Sequence, residues 1–306
     1  MEKEVCVMKK LFALLLTLAM VLSLAACGGK DETPDTQDET PDGAETQEPA
    51  EKEAGWWKDE LTTVAAGKLT VATSPDFAPY EFYAIDESGA PQLAGFDMAL
   101  AQYIADYLGL ELEVVPMDFD GTIMELTNKN VDLGMAGYSP DPDRAEVMDF
   151  SDIYITGGQS FVCVESNKDK FPSLEAANNP DYQIGAQVGS IQADLAKENT
   201  PDADIIELAK VTDLVAELVS GKMDGAFIET MVAESYATQY PELCVALDVP
   251  YDAVGSVVGV YKGNEALLAG VNEAIAAALA DGSFDQYVYE ANELANGEII
   301  EGLLEG

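Results

Sequence analysis

The chain has no histidine, and only one of its 15 basic residues is an arginine, Arg144. The missing imidazole excludes Ser-His-Asp and Cys-His catalysis and removes the commonest zinc ligand. The basic residues face 57 acids, giving a formal charge of -42. Phosphate contacts need clustered Lys and Arg, so nucleic acid is excluded as a partner. The four cysteines, Cys6, Cys27, Cys163 and Cys244, form no CxxC pair and no metal-ligand spacing. Cys163 (FVCVE) and Cys244 (ELCVAL) lie in apolar runs and are expected as two buried thiols, with a disulfide between them as the alternative. No metal and no organic cofactor is expected.

The scarcity of arginine makes Arg144 conspicuous. It stands in SPDPDRAEVMDFSD, residues 139–152, among aspartates. A lysine would serve as a generic surface cation, whereas a lone guanidinium points to a need for its planar, two-pronged donor. The bland alternative is a surface ion pair with Asp143 or Asp149. Asp141 followed by Pro142 reads as a cap and a first helical residue, with the carboxylate on backbone amides.

What is present begins with a leader. From Met8 the chain reads MKKLFALLLTLAMVLSLAAC, two lysines and an apolar run ending at Cys27. The run is too short and wrongly flanked for a stable membrane span. LAAC, Leu24 to Cys27, resembles the lipobox of bacterial lipoproteins. That implies a signal peptide over 1–26, a start at Met1 or Met8, and lipidation of Cys27. Residues 27–59 are expected as an acidic, disordered tether; 28–54 alone carry ten acids and three prolines without hydrophobic period. Anchor and leash together place a soluble domain at the outer face of a cell membrane.

From Lys68 the pattern changes. KLTVAT reads as a strand, and GFDMALAQYIADYLGL as a helix capped by Asp97 and ended by Gly109. ELEVVPM (strand), DGTIMELTNKN (helix) and VDLGMAG (strand) follow. The alternation then repeats with strands in QSFVCVE, YQIGAQVG, DIIELA, MDGAFIE, CVALDV and VVGVYK. Helices are expected in SIQADLAKEN, VTDLVAELVSGK and a long C-terminal stretch broken at Gly282. Such alternation implies βαβ units in two successive α/β bodies.

In order and spacing, GFDMALAQYIADYLG, MDFDGTIMELTNKNVDLGMAGYSPDPDRAEVMDFSDIYITGGQ, GSIQADL, GKMDGAFIE and ALADGSFDQYVYEAN resemble the polar amino-acid binding proteins of bacterial ABC importers. This family of solute receptors is matched in its glutamine-receptor-like, lipoprotein form. The resemblance covers about residues 66–293. It implies an α/β, two-lobed periplasmic-binding-protein-like (type II) fold, each lobe a mostly parallel sheet flanked by helices. Two hinge crossovers would join a first lobe over 60–155 and 256–306 to a second within 156–255. The implied function is capture of a free amino acid by interlobe closure and delivery, as a monomer, to an ABC permease and ATPase complex.

The resemblance also assigns site residues. Arg144 would grip the ligand α-carboxylate, Ser139 would add its amide and hydroxyl, and Gly137 would offer a carbonyl to the ammonium. Ser190, at the start of SIQADL, would meet the carboxylate or simply cap its helix. Glu229 stands where the family more often has Asp against the ammonium. Phe77 and Phe119 would wall the ligand side chain, with Tyr80 in the core. Ser74 replaces an acid common in glutamine and basic-amino-acid receptors, and Gln187 is neutral, so a neutral polar ligand is expected; Asp76 and Asp118 lie close enough to reverse this. Two other readings share the fold or the leader: a dehydratase of prephenate-like compounds with Glu229 as its acid or base, and a sensing or adhesive surface lipoprotein.

Overall fold

Alternating strand-forming and helix-forming segments build two α/β lobes in the computed structural model, which describes residues 53, 55–85, 89–252 and 255–297. The expected signal peptide, Cys6, Cys27 and nearly all of the tether lie outside the described residues. The tether nevertheless ends sooner than expected. Trp56–Asp59 form a 3-10 turn, and Trp57 is buried against Tyr107, with ring centroids 6.4 Å apart. An indole removed from water outweighs the polarity of its neighbours.

Before the first crossover the chain forms β1 (Lys68–Thr73), β2 (Asp76–Phe77), β3 (Glu81–Ile85), β4 (Pro91–Ala94), β5 (Glu111–Pro116), β6 (Leu133–Gly134) and β7 (Met148–Phe150). Between the crossovers lie β8 (Gln159–Val164), β9 (Gln183–Gln187), β10 (Asp204–Leu208), β11 (Gly225–Glu229) and β12 (Leu243–Val249), and β13 (Gly259–Tyr261) follows. The helices are α1 (Phe96–Leu108), α2 (Phe119–Thr127), α3 (Leu174–Ala177), α4 (Ile191–Asn199), α5 (Val211–Val219), α6 (Thr230–Gln239), α7 (Glu265–Asp281) and α8 (Ser283–Ala295).

The two main sheets have matching orders, β5-β1-β6-β13-β7 and β10-β9-β11-β8-β12. In each, three neighbouring strands are parallel and the fourth, the strand that has just crossed from the other lobe, runs antiparallel. β1, paired on both sides, is buried along nearly its whole length, whereas edge strand β5 alternates exposed acids with covered residues. A third, three-stranded sheet, β2-β3-β4, branches from the first lobe and was not legible as strands.

α1 buries Met98, Ala101, Ile104, Ala105 and Leu108, and Gly109 ends it in the left-handed region, as the period predicts. Its cap is different. Gly95 holds that position, and Asp97 lies two residues further on, in the first turn, fully buried. Its carboxylate accepts the Tyr154 hydroxyl at 2.7 Å and the Gly137 amide at 3.2 Å, so tertiary partners replace the capping role. VDLGMAG is shorter as a strand than expected, reduced to Leu133–Gly134.

The two crossovers run side by side. The Tyr154 amide donates to the Ser256 carbonyl at 3.1 Å, and the Ser256 amide to Ile155 at 2.8 Å. Gly255, at φ +135, lets them approach: a Cβ there would stand 2.6 Å from both Ile153 Cγ2 and the Ile155 carbonyl oxygen.

Candidate functional site

The Asp141 carboxylate accepts the amides of Asp143 (2.9 Å) and Arg144 (3.1 Å), which tightens the chain into the 3-10 turn Arg144–Glu146. The turn directs Arg144 inward, where it is only 8% exposed. Its guanidinium lies over the rings of Phe119 and Tyr138, 5.4 and 5.9 Å from their centroids. One nitrogen, Nη1, donates to the Ser139 carbonyl at 3.3 Å, and Nη2 donates to Gly189 of the second lobe at 3.1 Å. Among the described residues Arg144 makes no ion pair, and Asp149, one suggested partner, is held by Lys262 at 2.8 Å. Burial therefore lowers its pKa. A buried cation satisfied only by carbonyls favours an arriving anion.

Gly189 immediately precedes the start of α4. Ser190 caps that helix: its hydroxyl oxygen accepts the Ala193 amide at 3.2 Å and donates to the Gln187 carbonyl at 2.7 Å. The helix start, with its amides and positive dipole end, thus faces the guanidinium across the interlobe boundary.

Glu229 ends β11 and caps α6, its Oε2 accepting the Val232 amide at 3.0 Å. Its Oε1 is buried and makes no hydrogen bond among the described residues. Burial pushes the carboxyl up to about 7, against the pull of the Val232, Gly158 and Met231 amides and of the Tyr80 hydroxyl, which lie close to it. A Cβ on Gly157 would stand 2.6 Å from this Oε1 and 3.3 Å from the Tyr80 hydroxyl, so the crossover backbone passes between the two groups. Tyr80 is fully buried, as expected of a core residue, yet its hydroxyl also accepts from Ser256 at 3.3 Å. Its ring meets Phe77 with centroids 5.3 Å apart. Gly137, at φ +58, sits against the Phe77 ring, which a Cβ would approach to 2.6 Å.

The third cluster joins Ser74, Asp76 and Gln187. Asp76 accepts the Ser74 hydroxyl at 2.8 Å, and its other oxygen accepts the Gln187 side chain (3.1 Å) and the Val211 amide (2.6 Å) from the second lobe. Tyr236 donates to the Asp76 carbonyl at 3.0 Å. Asp76 thereby caps α5 across the lobes. Burial pushes it up to about 6, partly offset by the Val211 amide and Ser74.

The nine residues expected at the site fall into these three groups: Arg144, Ser139, Phe119 and Ser190; Glu229, Gly137 and Phe77; Ser74 and Gln187. The sequence marks Asp76 only as a nearby charge, and Tyr80 only as core. The signal for Asp76 was an acid directly before an aromatic residue at a strand end; its partners at 187 and 211 could not be read from spacing.

Residues 69–290 match the bacterial extracellular solute-binding proteins, family 3. The chain belongs to that family. It is 36% identical to the arginine-binding extracellular protein ArtP of Bacillus subtilis, over 65% of this chain and 76% of ArtP. It is 29% identical to cyclohexadienyl dehydratase of Pseudomonas aeruginosa, over 61% of this chain and 69% of that enzyme. The crystal structure of the substrate-binding protein AbpA of Streptococcus pneumoniae, bound to L-arginine, superposes with a TM-score of 0.72 at 31% identity, covering 76% of this chain and 97% of that one. The two-lobed fold expected from sequence is thus that of amino-acid binding proteins, and family membership makes this solute-binding protein an exported one.

Its buried acids set a pH dependence. Glu229 is pushed up to about 7, and Asp76 and Asp97 to about 6, each mainly by burial. In the unfolded chain they return to about 4. Between those values the folded protein holds more protons than the unfolded one, so stability is greatest in acid and falls as pH rises through 6 to 7. Raising pH from 5 to 8 is expected to lower the melting temperature of the ligand-free protein by about 3 °C or more, with Glu229→Gln removing part of the decline. A melting temperature that rises over this interval contradicts the assignment.

Proposed function

We propose that this solute-binding protein captures a free amino acid between its lobes and delivers it to an ABC permease and ATPase complex. The observation that carries this reading is a pair of opposite, incompletely satisfied buried groups: among the described residues the Arg144 guanidinium has no ion pair, and Oε1 of Glu229 meets no donor at full hydrogen-bond geometry. A zwitterion complements both. Its carboxylate takes the fork of Arg144 with two charge-assisted bonds, helped by Ser139 and by the helix start at Ser190. Its ammonium takes Glu229 and the Gly137 carbonyl. Phe77 and Phe119 wall the side chain, and the excluded water strengthens the ionic contacts. Contacts made to both lobes at once favour the closed form, which the permease receives.

For the side chain we favour a cation over the neutral polar group expected from Ser74. The acid that Ser74 lacks is supplied two residues on by Asp76, to which the Ser74 hydroxyl is bonded. Arginine binding by ArtP and AbpA supports the same choice. We read the chain as a binding protein and not an enzyme. It has no histidine to act as an acid or base, and the arginine-binding relatives ArtP and AbpA are named as binding proteins. We further propose that it acts as a monomer, held at the outer membrane face through lipidated Cys27 after removal of residues 1–26, with the acidic tether as leash.

A thermal-shift screen of amino acids, followed by titration calorimetry, tests the reading. L-arginine is expected to give the largest shift; a larger shift from glutamine would restore the neutral ligand, and no shift from any amino acid would remove the function. Arg144→Lys is expected to weaken binding by at least about 2 kcal/mol, because one bidentate, charge-assisted contact is lost; wild-type affinity in that variant removes the anchoring role. Cys27→Ser is expected to move the protein from the membrane fraction to the soluble fraction with ligand affinity unchanged; retention in membranes removes the lipid anchor.

A further inference from the structure

Cys163 and Cys244 face each other in the second lobe, far along the chain but adjacent in the sheet. They are direct partners in the antiparallel register of β8 and β12, with sulfur atoms 3.7 Å apart. Directly opposed antiparallel residues have Cα atoms about 4.5–5.5 Å apart, inside the span that a disulfide bridges. Rotation of the two side chains therefore suffices to join them, without moving either strand. Both are buried free thiols, packed with Phe161, Phe171 and Phe227. Apolar packing alone would be met by any two small hydrophobic residues; two cysteines in register add a chemistry that such packing does not need.

We infer that Cys163 and Cys244 form a cross-strand disulfide in the exported protein. The oxidant is the disulfide of an extracytoplasmic thiol oxidoreductase. One cysteine thiolate attacks it to give a mixed disulfide, and the second thiolate displaces the carrier, which leaves as a dithiol. Two electrons and two protons pass from the cysteine pair to the carrier, so the exchange balances. Extracytoplasmic surroundings permit such bonds to persist. Burial raises the pKa of both thiols, that of Cys244 to about 12. Thiolate is the reactive form, so exchange is slow once the lobe is folded. The bond accordingly forms while β12 is docking, and is then protected from reduction.

The position gives the bond a role. β12 is the edge strand of its sheet, and its pairing with β8 shifts register between Val245 and Leu247. Beyond that irregularity Val249 lies opposite Gln159, where both strands run into the crossovers. A covalent tie at Cys244 fixes the register on the far side of the shift, and so the level at which the two crossovers leave the lobe. The tie does not depend on which solute is bound.

The test uses the full chain, refolded with reduced and oxidised glutathione, denatured, treated with iodoacetamide without reductant, digested and examined by mass spectrometry. A peptide pair joined through Cys163 and Cys244, with neither cysteine alkylated until dithiothreitol is added, is expected. In the wild type dithiothreitol should also lower the melting temperature, an effect absent from the Cys163→Ala, Cys244→Ala double variant. Alkylation of both cysteines without reductant, or separate glutathione adducts on each, overturns the inference.

Discussion

A guanidinium withdrawn from water and shared between the carbonyls of Ser139 and Gly189 is the constraint on which the rest of the site depends. Removing a full charge from water is costly unless something of opposite sign or strong polarity replaces the hydration. Here the replacement is partial: two carbonyl oxygens and the faces of Phe119 and Tyr138. Those groups keep Arg144 folded inward and aimed at the second lobe, at the start of a helix whose amides favour the same anion. An arriving carboxylate would compete with carbonyls that bond less strongly than it does.

The opposite end of the cleft inverts the problem. Glu229, Asp76, Asp97 and Glu81 are all buried acids, and burial raises the pKa of each. Asp97 spends its oxygens on Tyr154 and the Gly137 amide, whereas Asp76 caps α5 and holds Gln187 with one oxygen while the other carries only the Ser74 hydroxyl. Glu229 has one oxygen that meets no donor at full hydrogen-bond geometry among the described residues, at a point flanked by Tyr80 and the Gly157 backbone. So the same element type, a buried carboxyl, braces the first lobe at Asp97, ties the lobes together at Asp76 and leaves a candidate partner for the ammonium at Glu229. The crossovers pass through this region, and closure and the ammonium end are therefore built from shared backbone.

Much of this was legible in the chain itself. Strand β1, helix α1 and the βα alternation of both lobes follow from period and from glycine stops such as Gly109. A special role for Arg144 was implied by its rarity, and Asp141 accepts backbone amides as read, although the helical turn starts at Arg144 and not at Pro142. Other features left no local trace. β2, β3 and β4 are short or interrupted by glycine and proline, so no two-residue period develops. α6, TMVAESYATQ, buries only Val232, Ala233 and Tyr236 and starts with a glutamate already taken for the site. Asp97 looked like a cap because it follows glycine and phenylalanine, yet Tyr154 and Gly137, 57 and 40 positions away, claim its oxygens. The bond from Asp76 to Val211 spans 135 positions, and only the folded chain shows it.

Arrival of a zwitterion between the two buried charges is the central claim, and a crystal structure of the protein with its amino acid bound tests it most directly. The account predicts the solute carboxylate on the two terminal nitrogens of Arg144 and its ammonium on Oε1 of Glu229, both within hydrogen-bonding distance. A solute lodged elsewhere, with Arg144 still bonded to Ser139 and Gly189 and Glu229 Oε1 still unpartnered, would contradict it.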